Sequence, residues 1–280
     1  MFEQVVIAVD GSECATRAAR AGIALAGMYS GRVTAVAAAH EELDEGTARE
    51  ILGEVEELGA DAGVPVETHV IADRPSVAIV DLANRVDAGL IVIGRHGNSG
   101  IRDRLFGSVT NRVLRTAERH VLTVPGEGPI ADYETVLLPT DKSKAAREAV
   151  APAADLADRY DAALHLLTVI DVRSEAGPFS AGGVDQEYVD SLLADELTDL
   201  ETLADEYATF TGDGVSFELA TRSGTPSTGI AEYVDEQGVD LVVMASTGES
   251  SLAGQLLGST TDRVLRLVDV PVLVVHPDRQ

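Results

Sequence analysis

Short apolar runs alternate with segments of helical periodicity along the whole chain. The runs are rich in Val, Ile and Leu, and Gly or Pro flanks many of them, which is typical of parallel strands covered on both faces. They lie at 5–9, 33–38, 66–71, 90–93, 121–124, 136–138, 164–170, 215–220, 241–244 and 272–275. The order β-α-β-α-β-α-β-α-β therefore occurs twice, which predicts two tandem, doubly wound, five-stranded parallel-sheet domains of the Rossmann-like α/β class.

Two pairs of corresponding motifs, the second of them a close copy, show that the chain is a repeat. VVIAVDGS at 5–12 returns as VLLPTDKS at 136–143, and GSVTNRVLR at 107–115 returns as GSTTDRVLR at 258–266. The first pair is 131 residues apart and the second 151, so the second half carries an insertion of 20 residues. The Gly and Pro content of 171–190 predicts a loop there. The connector PGEGPIAD at 125–132 separates domains predicted at 1–127 and 133–280.

Several helix starts are predicted from local signals. Ser12 and Ser143 occupy the same place in the two halves, where each is expected to cap a helix. Pro75 and Pro226 suit the first turn of a helix. Pro152 falls inside the helix that follows Ser143 and should kink or interrupt it.

The charge balance excludes some partners. The chain has 280 residues with a formal net charge of −26, and its only lysines are Lys142 and Lys144. Such a surface repels nucleic-acid phosphates and anionic lipid, so neither is expected to bind. Acidic excess with scarce lysine is also expected of a halophile's protein, whose fold should loosen in low salt.

The remaining composition favours a cytoplasmic protein without a structural metal. Cys14 is the one cysteine, so no intrachain disulfide is possible. We see no signal peptide and no stretch of about 18 uncharged apolar residues. The histidines show no metal-ligand spacing.

A glycine-rich loop is the strongest functional signal. After the fourth predicted strand, Gly94, Gly97, Gly107 and Ser108 form the pattern G-x2-G-x9-G-S. Glycines let backbone amides approach an anion, and a helix that opens at Gly107 favours negative charge. His96 and Arg95 are the nearest basic groups, and Mg²⁺ could supply further positive charge. Two glycines after a strand are often only a turn, but here strand, spacing, helix and repeat occur together.

The second half departs from this pattern. Ala245 replaces the first Gly, Thr247 replaces His96, and Glu249 adds a carboxylate, all of which oppose a close phosphate. Its site is therefore ranked second and is expected to bind weakly or to be empty. Asp10 and Asp141 end the first strand of each half, where a carboxylate either contacts a nucleoside or caps a helix.

These motifs resemble the universal stress protein family, with its adenine-nucleotide alpha-hydrolase-like fold, over nearly all of both halves. The resemblance implies binding of ATP, with ADP or AMP as alternatives and with or without Mg²⁺. In the first half it assigns the nucleotide site to Val9, Asp10, Ala38, Gly94, His96, Gly97, Gly107, Ser108 and Val109. In the second half the equivalent residues are Thr140, Asp141, Val169, Gly248, Gly258, Ser259 and Thr260.

The resemblance also implies pairing through the last strand of each half, at 121–124 and 272–275, which would make an internal pseudo-dimer. Association of two chains into a homodimer is a further possibility that it raises.

Three functions are compared. The leading one is a nucleotide-binding regulatory or stress-response module rather than an enzyme, because no general base is evident, although weak ATPase activity stays open. The alternative is a nucleotide-independent interaction protein. An adenylating enzyme of the ATP-pyrophosphatase type is disfavoured, because Asp10-Gly11-Ser12-Glu13 stands where such enzymes carry Ser-Gly-Gly.

Overall fold

The computed structural model describes residues 1–40, 43–96, 107–172, 186–211, 215–248 and 257–276. The described part of the first half contains β1 (Gln4–Ala8), α1 (Glu13–Met28), β2 (Arg32–Ala38), α2 (Glu45–Ala62), β3 (Val66–Ile71), α3 (Pro75–Arg85), β4 (Leu90–Gly94), α4 (Ser108–Thr116) and β5 (His120–Val124). The second half contains β6 (Thr135–Pro139), α5 (Lys144–Glu148), α6 (Val150–Tyr160), β7 (Ala163–Ile170), α7 (Gln186–Thr211), β8 (Phe217–Ser223), α8 (Pro226–Gln237), β9 (Leu241–Ala245), α9 (Ser259–Leu267) and β10 (Val272–Val275). The alternating α/β order predicted from the sequence is confirmed.

The chain divides into two compact units. The first comprises Met1–Asp132, Gly254–Leu257 and Asp269–Gln280, and the second comprises Tyr133–Ala253 and Gly258–Val268. The repeat places β10 in the second half of the sequence, whereas in the structure β10 lies with the first unit.

The first unit is built on a sheet of order β3-β2-β1-β4-β5, in which all five strands are parallel. Helix α1 packs against α2, and α3 packs against α4, as expected for helices on the two faces of a doubly wound sheet. From β1 the sheet grows in one direction through β2 and β3 and in the other through β4 and β5, so a crevice opens between β1 and β4 at the carboxyl ends of these strands. In this unit β10 follows β5 in the sheet and pairs with it in antiparallel register, Leu273 opposite Leu122. The expected pairing of the two last strands is thus observed.

The second unit has the parallel order β9-β6-β7-β8. Ser143 caps α5 by accepting a hydrogen bond from the N–H of Ala146, and Ser12 does the same for α1 with Ala15, so both predicted caps are confirmed. The predicted interruption near Pro152 is also observed, because α5 ends before Ala149 and α6 begins after it.

One predicted loop is partly wrong. Residues 173–185 lie outside the described part, but α7 already begins at Gln186, inside the stretch 171–190 that the sequence marked as a loop. The glycines that favoured a loop all precede this helix start. No helix in the described ranges is long and apolar enough to cross a membrane.

An aromatic pair recurs in the two units. Phe2 and Tyr29 meet edge-to-face with ring centroids 5.2 Å apart, and Tyr133 and Tyr160 do so at 4.8 Å. Each pair joins the residue that precedes the first strand to the end of the following helix. Phe2 and Tyr133 are essentially inaccessible, so these rings compensate for cores otherwise filled by small aliphatic side chains.

Candidate functional site

A cavity of about 360 Å³ opens at the carboxyl ends of β1, β2 and β4 in the first unit. This is the crevice that the strand order predicts. Its apolar wall is formed by Val9, Val36, Ala38, Leu43, Ile79 and Ile93. Polar side chains in the lining come from Asp10, His40, Arg74, Ser76, Ser108 and Arg112.

Seven of the nine site residues predicted for the first half line this cavity: Val9, Asp10, Ala38, Gly94, Gly107, Ser108 and Val109. His96 is half-buried and is not among the lining residues. Gly97 lies outside the described residues. Most of the residues assigned to the first-half site from the sequence therefore line this cavity.

Helix α4 presents its N-terminus to the cavity. Ser108, Val109 and Thr110 all line it, and the N–H groups of a helix's first turn have no intrahelical acceptor. Gly107 is the N-cap residue, and no side chain of the described residues caps the helix there. The helix dipole and these N–H groups make this end of the cavity favourable for an anion.

Hydrogen bonds hold α4 against the end of β4. The Thr110 hydroxyl donates to the backbone oxygen of Gly94 at 2.8 Å, and the Gly107 N–H donates to the oxygen of Arg95 at 3.0 Å. Arg95 in turn donates its N–H to Val124 on β5, at 2.9 Å. The helix N-terminus is thus held directly against the carboxyl end of the sheet.

Gly94 is required for a reason that sequence reasoning missed. A Cβ on Gly94 would lie 2.9 Å from the carbonyl carbon of Cys14 and 3.1 Å from the backbone nitrogen of Ala15. Distances this short are not tolerated between a Cβ and backbone. Glycine at this position lets the start of α1 pack directly against β4, whatever it also contributes to an anion site.

Asp10 both lines the cavity and organises the turn after β1. Its Oδ1 accepts hydrogen bonds from the N–H of Ser12 at 3.0 Å and from the Ser12 hydroxyl at 2.6 Å. Between them Gly11 has a left-handed φ of +79°, and a Cβ there would also approach Ile51 to 2.8 Å. Ser12 rather than Asp10 caps α1, so of the two roles considered for Asp10 the capping role is not the one observed, while its carboxylate does line the cavity.

The basic groups of the cavity are not those expected. Arg95 is 3% exposed, and its guanidinium donates to the backbone oxygen of Val270 rather than lining the cavity. Burial lowers the pKa of Arg95 to about 10, although the nearby Asp269 opposes this change. The prediction of Arg95 as a basic group near the loop's ligand is thus wrong, since its side chain belongs to the interior.

Among the described residues, the basic side chains that line the cavity are Arg74, Arg112 and His40. Arg112 could have been found from the sequence, because it follows Ser108 by four residues and so shares its helix face. Arg74 ends the connection after β3, and no sequence motif indicated that this connection reaches the crevice.

The second unit repeats the backbone of this arrangement. The Thr261 hydroxyl donates to the oxygen of Ala245 at 2.9 Å, and the Gly258 N–H donates to Ser246. Helix α9 is therefore docked on β9 as α4 is on β4. Ser259 is exposed and Thr260 half-buried at the start of α9.

At the strand ends of the second unit, the predicted site residues Thr140 and Val169 make turn and packing contacts. Thr140 donates its N–H to Leu167 and accepts from the N–H of Lys142, so its polar groups serve the turn. A Cβ on Gly229 would lie 2.7 Å from Val169, which packs against α8.

A carboxylate lies against the glycine loop of the second unit. A Cβ on Gly248 would be 2.5 Å from Oδ2 of Asp141. Lys142 takes the place of Gly11 with a left-handed φ of +60°, and its ammonium group pairs with Glu196 at 2.7 Å and Asp199 at 2.8 Å on α7. A negative group beside the loop, with the neighbouring lysine already neutralised, opposes an anionic ligand here.

Comparison with known proteins identifies the family. The family sequence model described as "Universal stress protein family" matches residues 1–125 and 132–276 of the chain. A universal stress protein of Methanocaldococcus jannaschii is 32% identical over 152 residues, which are 53% of this chain and 85% of that protein. One of Mycolicibacterium smegmatis is 27% identical over 84% of this chain and 79% of its own length. The crystal structure of a universal stress protein from Archaeoglobus fulgidus superposes with a TM-score of 0.75 at 22% identity, covering 98% of each chain, and so shares the fold. The chain, matched by this model in both of its halves, belongs to the universal stress protein family.

Proposed function

We propose that the protein is a regulatory, stress-response module that binds ATP or another adenine nucleotide, mainly in its first unit. The observation that supports this most is the cavity of about 360 Å³ into which the end of β1, the end of β4 and the N-terminus of α4 converge. Small-molecule sites are concave, mostly apolar and supplied with a few convergent polar groups, and occupy about 300–1,000 Å³.

The lining fits the parts of a nucleotide. The faces of the adenine base are accommodated between aliphatic side chains such as Val36, Ala38 and Ile79. The Asp10 carboxylate can accept hydrogen bonds from ribose hydroxyls or from an exocyclic amine. Phosphates are accommodated at the N-terminus of α4, where Ser108 adds a hydroxyl donor.

The second unit is proposed to bind nucleotide weakly or not at all. Ala245 in place of Gly94, and the added carboxylate of Glu249, both act against a phosphate, while α9 keeps its docking bonds. Its role in this proposal is to complete the tandem arrangement rather than to provide an equal second site.

We assign no catalytic residue. Among the described lining residues, Asp10 is the one carboxylate, and it is engaged by Ser12. The described residues also contain no group of three or more His, Cys, Asp or Glu side chains that could hold a metal ion. Any ATP turnover is therefore proposed to be slow.

We also propose that the protein is cytoplasmic.

The test is to purify the protein in high salt, denature it and identify released nucleotides by mass spectrometry. Calorimetric titration of the stripped protein with Mg-ATP then gives the stoichiometry. Gly107→Val, which adds bulk at the mouth of α4, should abolish binding, whereas the matched Gly258→Val in the second unit should not.

About one ATP per chain, lost in Gly107→Val alone, would support the proposal. A folded protein that releases no nucleotide and gives no heat of binding would refute it. Such a result would favour the alternative, an interaction protein in which the cavity is inherited architecture.

A further inference from the structure

Two arginines reach the same cavity from different helices. Arg74 is the N-cap residue of α3, where its side chain makes no capping bond, and Arg112 lies one turn into α4, beyond Ser108. Both side chains are exposed where they line the cavity. They come from neighbouring elements, because α3 packs against α4.

These arginines differ from most others that the structure describes. Arg49, Arg119 and Arg147 pair with carboxylates, and Arg17 donates to backbone oxygens at Pro125 and Gly128. No carboxylate or carbonyl of the described residues accepts a hydrogen bond from the guanidinium of Arg74 or Arg112. In a chain of net charge −26, two arginines without a described acidic partner in one cavity suggest that a ligand supplies the anion.

The start of α3 strengthens this reading. Ser76 lines the cavity, is only 3% exposed, and follows Pro75 in the first turn of α3. No hydrogen bond of its hydroxyl to another described residue is seen. The cavity therefore receives a second helix N-terminus with a buried hydroxyl, in addition to the N-terminus of α4.

We propose that Arg74, at the start of α3, and Arg112, on α4, determine which nucleotide the cavity takes by binding its phosphates. Two consequences define the ligand class. Affinity rises with the number of phosphates, and binding does not require a divalent cation, because the guanidinium groups provide the counter-charge. This inference rests on the proposed function and adds the residues that select among nucleotides.

The chemistry favours arginine in this role. A guanidinium group presents donors in a planar fork that matches phosphate oxygens, and charge-assisted bonds of this kind are about twice as strong as neutral ones. Asp10 is the one carboxylate of the described lining, and its Oδ1 already accepts two hydrogen bonds from Ser12. The positive groups of the cavity are thus carried by the chain itself.

The test is calorimetric titration with AMP, ADP and ATP, each in EDTA and in Mg²⁺. The proteins are the wild type, Arg74→Gln, Arg112→Gln and the double variant. Arg85→Gln is the matched control, because it removes the same charge from the exposed last turn of α3 and is not part of the lining. Circular dichroism and thermal unfolding establish that each variant is folded.

The wild type should bind ATP in EDTA and more tightly than AMP. Each cavity variant should lose about tenfold in ATP affinity, the size of one charge-assisted hydrogen bond, with a smaller loss for AMP. Arg85→Gln should bind as the wild type does. Nucleotide binding that needs Mg²⁺, or that is unchanged in the double variant, would overturn this inference alone. If no nucleotide binds to any protein, the proposed function fails as well.

Discussion

The hydroxyl of Thr110 donates a hydrogen bond of 2.8 Å to the backbone oxygen of Gly94, and so joins the first turn of α4 to the last residue of β4. Thr110 is 3% exposed. Thr261 makes the equivalent bond to Ala245, at 2.9 Å. The same bond between helix and strand thus occurs in two units whose loop sequences differ. Removing it from each unit in turn separates its effect on helix packing from its effect on ligand binding.

Thr110→Val should therefore weaken nucleotide binding, whereas Thr261→Val should not. Each change keeps the side-chain shape and leaves a carbonyl without its donor, so each should lower the free energy of unfolding by about 1 kcal/mol. Chemical denaturation measures the stability, and titration with ATP measures the affinity. Equal losses of affinity in the two variants would show that the effect is global rather than local to the α4 site.

Acid should destabilise the protein through His276. This residue is 3% exposed and follows the end of β10. Its backbone N–H donates a hydrogen bond to Nδ1 of His120 at 3.2 Å. Burial, with a smaller contribution from the charge of His120, lowers the pKa of His276 from 6.5 to about 4. The unfolded chain therefore binds a proton between these values when the folded chain does not, so stability falls as pH falls from about 6.5 to about 4.

The expected contribution of His276 is about 3 kcal/mol across that interval. His276→Leu, which removes the titrating group, should show a shallower loss of unfolding free energy between pH 6.5 and 4.5. Carboxylates titrate in both proteins, so the difference between the two pH profiles is the relevant quantity. Parallel profiles would contradict the low pKa of His276.

Low salt should loosen the fold. A net charge of −26 repels itself strongly when the Debye length grows from about 3 Å at 1 M salt to about 10 Å at 0.1 M. We expect the midpoint of thermal unfolding to fall steadily as KCl is lowered from about 3 M to about 0.05 M. Unchanged far-UV circular dichroism and an unchanged midpoint over this range would contradict a halophilic adaptation.

The second unit should gain affinity when its negative charge and extra methyl group are removed. Ala245→Gly restores the first glycine, and Glu249→Asn removes a carboxylate from the loop. Titration of the double variant with ATP should show a second, weaker binding event per chain. A stoichiometry that stays at one would indicate that residues other than Ala245 and Glu249 close the second site.

Most of the fold could be predicted because it depends on local patterns. Apolar runs located β3 and β10 to the residue, and the matching positions of Ser12 and Ser143 predicted two caps that the structure contains. The parallel sheet, and a site at the carboxyl ends of its strands, followed from rules for α/β folds without knowledge of any side-chain contact.

The parts that could not be predicted depend on contacts between distant segments. The role of Arg74 requires knowing that the connection after β3 reaches the crevice. Gly94 is explained by the backbone of Cys14, which is far away in sequence. Arg95, a cation beside the glycine loop, pointed to a ligand until its bond to Val270 placed it in the interior.

The pairing of β5 with β10 has a consequence for how the protein is made. Thr123 and Val272, which face each other in these strands, are 149 residues apart. A ribosome adds about 5–20 residues per second, so β5 waits for roughly 10 s or more before its partner strand exists. During synthesis the edge of β5 is an unpaired apolar strand, the kind of surface that joins wrong partners. The nascent chain is therefore most vulnerable to misassembly while its second repeat is still being translated.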